Sequence, residues 1–413
     1  MQHQLIIITE AIIMIISNDL GYGSIKVNVE GEEKKFPSVL AIQREQDILA
    51  PVEFEDQSEK DVYMKDFLNH MDVTVSSSSV KMQGRYLIGN AAIDSGLQLT
   101  SFDINSLSGK ADSDLSLIFT LSVAAGKRVK EAYESGEDLS NTLKTEVTLV
   151  TALPVKEGKK KDVKDAYKNR YLGKVHQVTF HNFGNPVTVS VTFKAVYVAN
   201  EGETAALYIA SNKKELTNAL KKDLDDNFPE LSKFVSKEDI ISSKNIGILD
   251  IGGGTVDIII IINGKAVASA SLSMNEGYDN ALDEAVDYLT EHQYSFKDRT
   301  DLKEYLEQEA TGLSKRRHEA VENMVYEQLD PFCDRIVDNV SKALNKAGAG
   351  IEEFICVGGG SIPMNAHSNL RSAMVEKLKQ YNGGDIVPVL FAPDDKAQTL
   401  NLEGLKFIAK KVA

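Results

Sequence analysis

Two nine-residue segments of this 413-residue chain share one pattern. Asp19-Leu20-Gly21-Tyr22-Gly23-Ser24-Ile25-Lys26-Val27 and Asp250-Ile251-Gly252-Gly253-Gly254-Thr255-Val256-Asp257-Ile258 both read Asp, apolar, Gly, any, Gly, Ser or Thr, apolar, polar, apolar. Each follows one apolar run and enters another, so each predicts strand, glycine turn, strand. A single turn of this kind is common in hairpins. Two copies in the same context mark a repeated supersecondary unit. Glycine reaches the φ > 0 of a tight turn cheaply, and without Cβ it lets a phosphate approach the backbone. Successive N–H groups in such a turn form an anion nest. Ser24 and Thr255 add hydroxyl donors. A carboxylate beside a polyphosphate needs a cation between them, so Asp19 and Asp250 imply Mg²⁺, held through water because this ion dehydrates reluctantly.

The length exceeds one ordinary core and suits two domains or a few subdomains. The formal net charge of −15 repels nucleic-acid phosphates and disfavours direct DNA grip. Lys159, Lys160 and Lys161 form a local basic run, read either as a patch or as a solvated loop. Cys333 and Cys356 sit in apolar stretches without CxxC or metal-ligand spacing. They read as buried thiols of a protein kept in a reducing cytoplasm. Leu5 to Ile16 is too short for a membrane span and lacks the features of a signal peptide. It also lacks the Lys, Arg and Trp of an amphipathic tether. Residues 1–13 are therefore expected to lie outside the fold, with Met14 leading into the first strand.

Along the chain, Ile15 to Ile42 predicts a β-meander. Residues 53–79 are acidic, then serine-rich, and are expected to include loops. Leu115 to Tyr133 has helical spacing, and Glu146 to Leu153 reads as a buried strand ended by Pro154. Lys159–Arg170 reads as a polar helix, and Val175 to Val198 as two β-rich runs. Gly202 begins a helix. Ile246 to Ile262 is strand, turn, strand, and helical patterns run from Gly277 to Ala347. Ile355-Cys356-Val357 is a short strand ending in Gly358-Gly359-Gly360-Ser361. Val387 to Leu390 is another strand, and Leu400 to Val412 a closing helix. Strands before helices, twice over, predict two related α/β halves.

The segment from Leu249 to Asp257 resembles the phosphate-2 motif of the actin, heat-shock chaperone and sugar kinase ATPases. Asp19 with Gly21 resembles their phosphate-1 motif, and Cys356-Val357-Gly358-Gly359-Gly360-Ser361 their adenosine motif. The resemblance implies a two-domain actin-like, duplicated ribonuclease H-like α/β fold with a nucleotide cleft between the domains. It implies domain I at 14–201 completed by 386–413, and domain II at 202–385. Phe36-Pro37-Ser38, Tyr86 to Gly89, Thr151 to Val155, Val198 to Gly202, and the tail with Asn401, Gly404 and Leu405 follow in an order similar to ParM-type plasmid-segregation actins. That narrower resemblance implies a bacterial, cytoplasmic, filament-forming ATPase using ATP or GTP with Mg²⁺. Its partners would be further copies of itself and a DNA-bound adaptor of ParR type, without direct nucleic-acid or membrane contact.

Within the resemblance, Glu201 stands where the attacking water is positioned, with Glu203 its rival, and Asp250 also orients the water. The phosphate-binding set is Asp19, Gly21, Tyr22, Gly23, Ser24, Lys26, Gly252, Gly253, Gly254 and Thr255, and the adenosine side adds Gly358, Gly359, Gly360 and Ser361. Lys26 points either to phosphate or to solvent. Lys315, with Arg316 and Arg317, either borders the base and ribose or forms a solvated helix face. Gly277 permits a close strand-to-helix approach. The alternative function is a non-polymerising small-molecule kinase or regulatory ATPase of the same fold. A chaperone ATPase is disfavoured, since too few residues follow the adenosine motif for a substrate-binding domain.

Overall fold

The structure is a computed structural model describing residues 12–412 apart from 105, 107, 212, 213 and 349. It divides into two compact units. The first runs up to Leu153 and adds Lys160–Ala199 and the residues from Leu405 on; the second comprises Pro154–Lys159 and Asn200–Gly404.

The first unit is built on a ten-stranded sheet. Its spatial order is Glu32–Pro37, Ser24–Val29, Ile12–Leu20, Leu143–Leu153, Val187–Asn200, His176–Phe180, Asp72–Ser76, Gly84–Ile88, Val39–Gln43 and Leu99–Ser101. Ile12–Leu20 pairs in parallel with Leu143–Leu153, from Ile12 opposite Thr145 to Asn18 opposite Thr151. Parallel neighbours need a long crossover. It includes the helix Asp114–Glu134, buried on nearly every side through residues such as Leu117, Ile118, Phe119 and Leu121. Phe119 meets Phe36 edge-on at 5.4 Å, tying that helix to the meander.

The second unit centres on Lys265–Ala266, Val256–Ile262, Ile246–Ile251, Glu353–Val357 and Val389–Phe391, in that order, with Leu272–Met274 on the side of Val256–Ile262. Ile246–Ile251 is buried at every residue because helices cover both faces. Strand alternation sorts its side chains. Leu249 and Ile251 enter the core shared with the helices Tyr278–Glu291, Leu329–Ala347 and Leu370–Tyr381. Ile246 and Ile248 enter the opposite core, with Ala205, Ala206 and Ile209 of the helix Glu203–Ala210 and with Leu216, Leu220 and Leu224 of Lys214–Asn227. Asp250 shares the face of Ile246 and Ile248, and its antiparallel partner Asp257 shares that of Ile259 and Ile261.

Some bounds differ from expectation. Ile12 and Ile13 belong to the first strand, because their backbones pair beside Thr145 and Glu146; the rest of the expected extension, residues 1–11, lies outside the described residues. Residues 386–404 belong to the second unit, because Val389, Leu390 and Phe391 pair in parallel with Phe354, Ile355 and Cys356. Pro154–Lys159, Asn200 and Glu201, expected in domain I, belong to the second unit as well. Residues 53–79, expected to include loops, also contain the helix Gln57–Lys65 and the strand Asp72–Ser76. The helix starts where Asp56 accepts the Glu59 N–H at 2.9 Å, a cap concealed within a run of acidic residues.

Candidate functional site

In open α/β sheets, ligands bind beyond the carboxyl ends of parallel strands. In the second unit, Ile246–Ile251 and Glu353–Val357 run parallel and end side by side, with Asp250 opposite Val357. Each strand then enters a glycine turn, so register alone brings Gly252–Gly254 next to Gly358–Gly360. The Gly360 N–H donates to the Ile251 carbonyl at 2.8 Å, and the Gly358 N–H to the Ala397 carbonyl at 2.8 Å. Gly358 has φ +87, and a Cβ there would overlap Asp250 Oδ1. Ser361 is buried, its hydroxyl donating to the Gly358 carbonyl at 2.8 Å, and it opens the helix Ser361–His367. Gln398 lies beside Gly359.

The Gly252 N–H donates to the Thr255 carbonyl at 2.9 Å. Among the described residues, the N–H groups of Gly253, Gly254 and Thr255 donate to no backbone carbonyl. That leaves three donors in one turn, the arrangement an anion nest requires. Thr255 Oγ1 is 3.3 Å from Asp257 Oδ2. Asp257 also accepts from Ser273 Oγ and from the Val155 N–H. Gly277 abuts the carbonyls of Gly252 and Gly253, where any Cβ would overlap them, so the helix Tyr278–Glu291 closes directly on the turn. The Tyr278 and Asp279 N–H groups donate to those carbonyls at 2.9 and 2.8 Å. Burial pushes the Tyr278 phenol well above its ordinary range, with the Asp279 charge adding to the shift. Burial does the same to the Cys356 thiol, an inert group beneath the Gly358–Gly360 turn.

Asp250 and Glu201 are both buried. Asp250 Oδ2 accepts from Asn401 Nδ2 at 2.6 Å. Asn401 Oδ1 accepts from the Gly202 N–H at 2.9 Å, the residue following Glu201. Glu203 is turned back, accepting from Asn200 Nδ2 at 2.9 Å.

In the first unit, Asp19 and Lys26 are cross-strand partners in the hairpin of Ile12–Leu20 with Ser24–Val29. Lys26 Nζ lies 3.4 Å from Asp19 Oδ2, and both side chains are largely buried. Lys26 therefore points toward the carboxylate rather than into solvent. Ser38 Oγ donates to the Gly21 carbonyl at 2.5 Å, bracing the turn. Tyr22 carries the Lys110 ammonium 4.2 Å from its ring centroid and meets Phe102 edge-on at 5.8 Å. Gly23 and Ser24 complete the turn and begin the returning strand.

Lys315 stands exposed at the start of the helix Lys315–Glu327, 3.9 Å from Glu319. Arg317 of the same helix lies over the rings of Tyr294 and Tyr305, at 6.0 and 5.6 Å. Among the described residues, no group of three or more His, Cys, Asp or Glu is arranged to hold a metal. No helix among them is long and apolar enough to cross a membrane.

Three residues near the second glycine turn carry no signal of a role in the sequence alone. Asp279 lies against Gly253, and Lys303 pairs with it. Asn401 stands out only as part of a similar tail. No local spacing marks them, since Lys303 is 24 residues from Asp279 and Asn401 is 151 from Asp250.

Residues 17–203 match the family model described as actin like proteins N terminal domain. Residues 248–369 match that of the archaeal actin homologue MreB-like, C-terminal. No curated protein matches the chain. The actin-like protein Alp7A aligns with TM-score 0.66 at 15% identity, over 97% of each chain. The archaeal actin homologue Ta0583 aligns with TM-score 0.57 at 17% identity, over 97% of this chain and 100% of that one. Bacillus thuringiensis ParM with AMPPNP aligns with TM-score 0.57 at 15% identity, over 97% and 99%. Likeness at such identities is one of fold, and the fold is the two-domain actin-like α/β architecture. With both halves matching models of actin-like proteins, the chain belongs to the actin-like superfamily, with similarity to its ParM-type members.

Proposed function

We propose that this protein binds ATP or GTP with Mg²⁺, hydrolyses it, and uses the cycle to assemble and disassemble filaments of itself. The observation that carries the reading is the junction of two glycine turns at the ends of adjacent parallel strands, with Asp250 packed between them. The three N–H groups of Gly253, Gly254 and Thr255 bind phosphate oxygens. The Gly358–Gly360 turn, without side chains, admits a flat base and ribose. The Asp19 hairpin is the second phosphate grip, with Lys26 supplying positive charge beside the carboxylate.

We assign Asp19 and Asp250 to hold Mg²⁺ through water, because this ion dehydrates reluctantly. When bound, Mg²⁺ neutralises the charge between those carboxylates and the phosphates. Glu201, buried and next to the turn that Asn401 binds, accepts a hydrogen bond from the attacking water and aims it at the terminal phosphate.

The related structures support both halves of the reading. Bacillus thuringiensis ParM has been solved with AMPPNP and with ADP, and a pCBH ParM was made non-polymerisable by a quadruple mutation. By the same likeness we propose plasmid segregation as the task, through a DNA-bound adaptor of ParR type. An acidic filament that grips DNA only through an adaptor is consistent with a net charge of −15.

Glu201→Gln tests the catalytic assignment. It removes the carboxylate and keeps the shape. Binding of a fluorescent ATP analogue should stay within a few-fold of wild type, while phosphate release falls by about 100-fold or more, the typical worth of a positioned base. An unchanged rate would move the role to Glu203 or Asp250.

A further inference from the structure

Asn401 lies in the first turn of the helix Leu400–Val412 and spends its side-chain amide on three partners. Nδ2 donates to Asp250 Oδ2 at 2.6 Å. Oδ1 accepts from the Gly202 N–H at 2.9 Å and from Thr204 Oγ1 at 2.8 Å. The orientation of the amide is fixed by chemistry. A backbone N–H can only donate, so the atom facing Gly202 is the oxygen. The NH₂ group must then face Asp250, whose Oδ2 accepts from it.

Packing holds the same geometry. Gly404, one turn further along the helix, abuts the Thr204 carbonyl so closely that any Cβ would overlap it. Gly202 has φ +74, and its Cα lies against Ile259. The turn carrying Glu201 is thus fixed by its own conformation, by the strand Val256–Ile262 and by the start of the helix Leu400–Val412.

We infer that Asn401 is a positioning residue for hydrolysis: its amide sets the separation between the Asp250 carboxylate and the Glu201–Gly202 turn. The inference rests on the roles proposed above for Asp250 and Glu201. Asn401 needs no contact with nucleotide to act. The bond to a carboxylate is charge-assisted and roughly twice as strong as a neutral one. A displacement of about 1 Å at a reacting group costs on the order of 100-fold in rate. Loss of this amide therefore lowers kcat and leaves nucleotide affinity nearly intact.

The test compares Asn401→Leu, Asn401→Asp and Thr204→Val with wild type in the full chain. The measurements are binding of a fluorescent ATP analogue, kcat and KM for Mg-ATP and Mg-GTP, and hydrogen exchange of the Gly202 to Thr204 amides without nucleotide. Asn401→Leu should lower kcat by roughly 100-fold, shift KM by only a few-fold, and raise exchange at Gly202 by at least about 10-fold. Thr204→Val, which removes one of three bonds, should cost a few-fold in kcat.

Asn401→Asp keeps the acceptors for Gly202 and Thr204 but sets a carboxylate against Asp250. It should protect Gly202 as wild type does and still lose most of kcat, which decides the matter should Asn401→Leu fail to fold. Folded Asn401→Asp or Asn401→Leu protein with wild-type kcat would overturn the positioning role alone. Wild-type protein that neither binds nor hydrolyses either nucleotide would overturn the functional reading and this inference together.

Discussion

Gly358 combines a positive φ with a close approach to side chain and backbone. Its φ of +87 lies in the region that favours glycine, and its Cα faces the carboxylate of Asp250 and the carbonyl of Ile251. Gly31 has nearly the same φ, +89, but a Cβ added there would meet nothing within 4 Å. The pair separates backbone strain from close approach. Gly31→Ala should cost about 1 kcal/mol, the lower end of the range for a non-glycine residue held at positive φ. Gly358→Ala should cost at least about 3 kcal/mol and also abolish nucleotide binding, since it displaces Asp250. Urea unfolding reads both costs as shifts in midpoint at constant slope. Equal costs, with nucleotide binding kept, would show that the approach to Asp250 carries no weight.

At the scale of elements, the strand Glu353–Val357 begins with a buried acid. Burial pushes the Glu353 carboxyl up to about 8, against an opposing hydrogen bond from Ser243, and the neighbouring Glu352 charge adds to the rise. The folded value lies above the ordinary 4.5, so the folded chain holds a proton that the unfolded chain has released. Stability from this group is therefore full below about pH 4.5 and lost as pH climbs to about 8. Glu353→Gln keeps a neutral side chain at every pH. Its advantage in melting temperature over wild type should be smallest near pH 4.5, grow with pH and level off above about 8. A difference that does not change with pH would contradict this.

Elements also show what local sequence can carry. The repeated glycine turns and the apolar runs around them were legible because strand alternation and turn chemistry are local. The helix Leu400–Val412 appeared with its observed bounds, since its apolar spacing is uninterrupted. The assignment of 386–404 was not legible. Val389–Phe391 is only three residues long, and its partner, Glu353–Val357, is chosen by tertiary pairing. The glycine and acid positions of the candidate site could be read from motif and resemblance. Asp279 and Lys303 could not, and Asn401 appeared only within a similar tail and without a role, because these contacts span separations that no short pattern encodes.

At the scale of the whole molecule, each copy carries a formal charge of −15, so copies repel in dilute salt. Assembly must overcome that repulsion, and salt screens it over a Debye length of about 8 Å at physiological strength. The critical concentration for polymerisation should therefore fall as salt rises from low values. In the proposed function nucleotide turnover and assembly are one cycle, and the decisive measurement is right-angle light scattering of the pure protein with Mg-ATP or Mg-GTP, phosphate release followed in the same cuvette. Scattering should rise above a critical concentration, then decay as phosphate appears. Steady hydrolysis with no scattering across a wide range of concentration and salt would contradict it and point to a kinase-like or regulatory monomer.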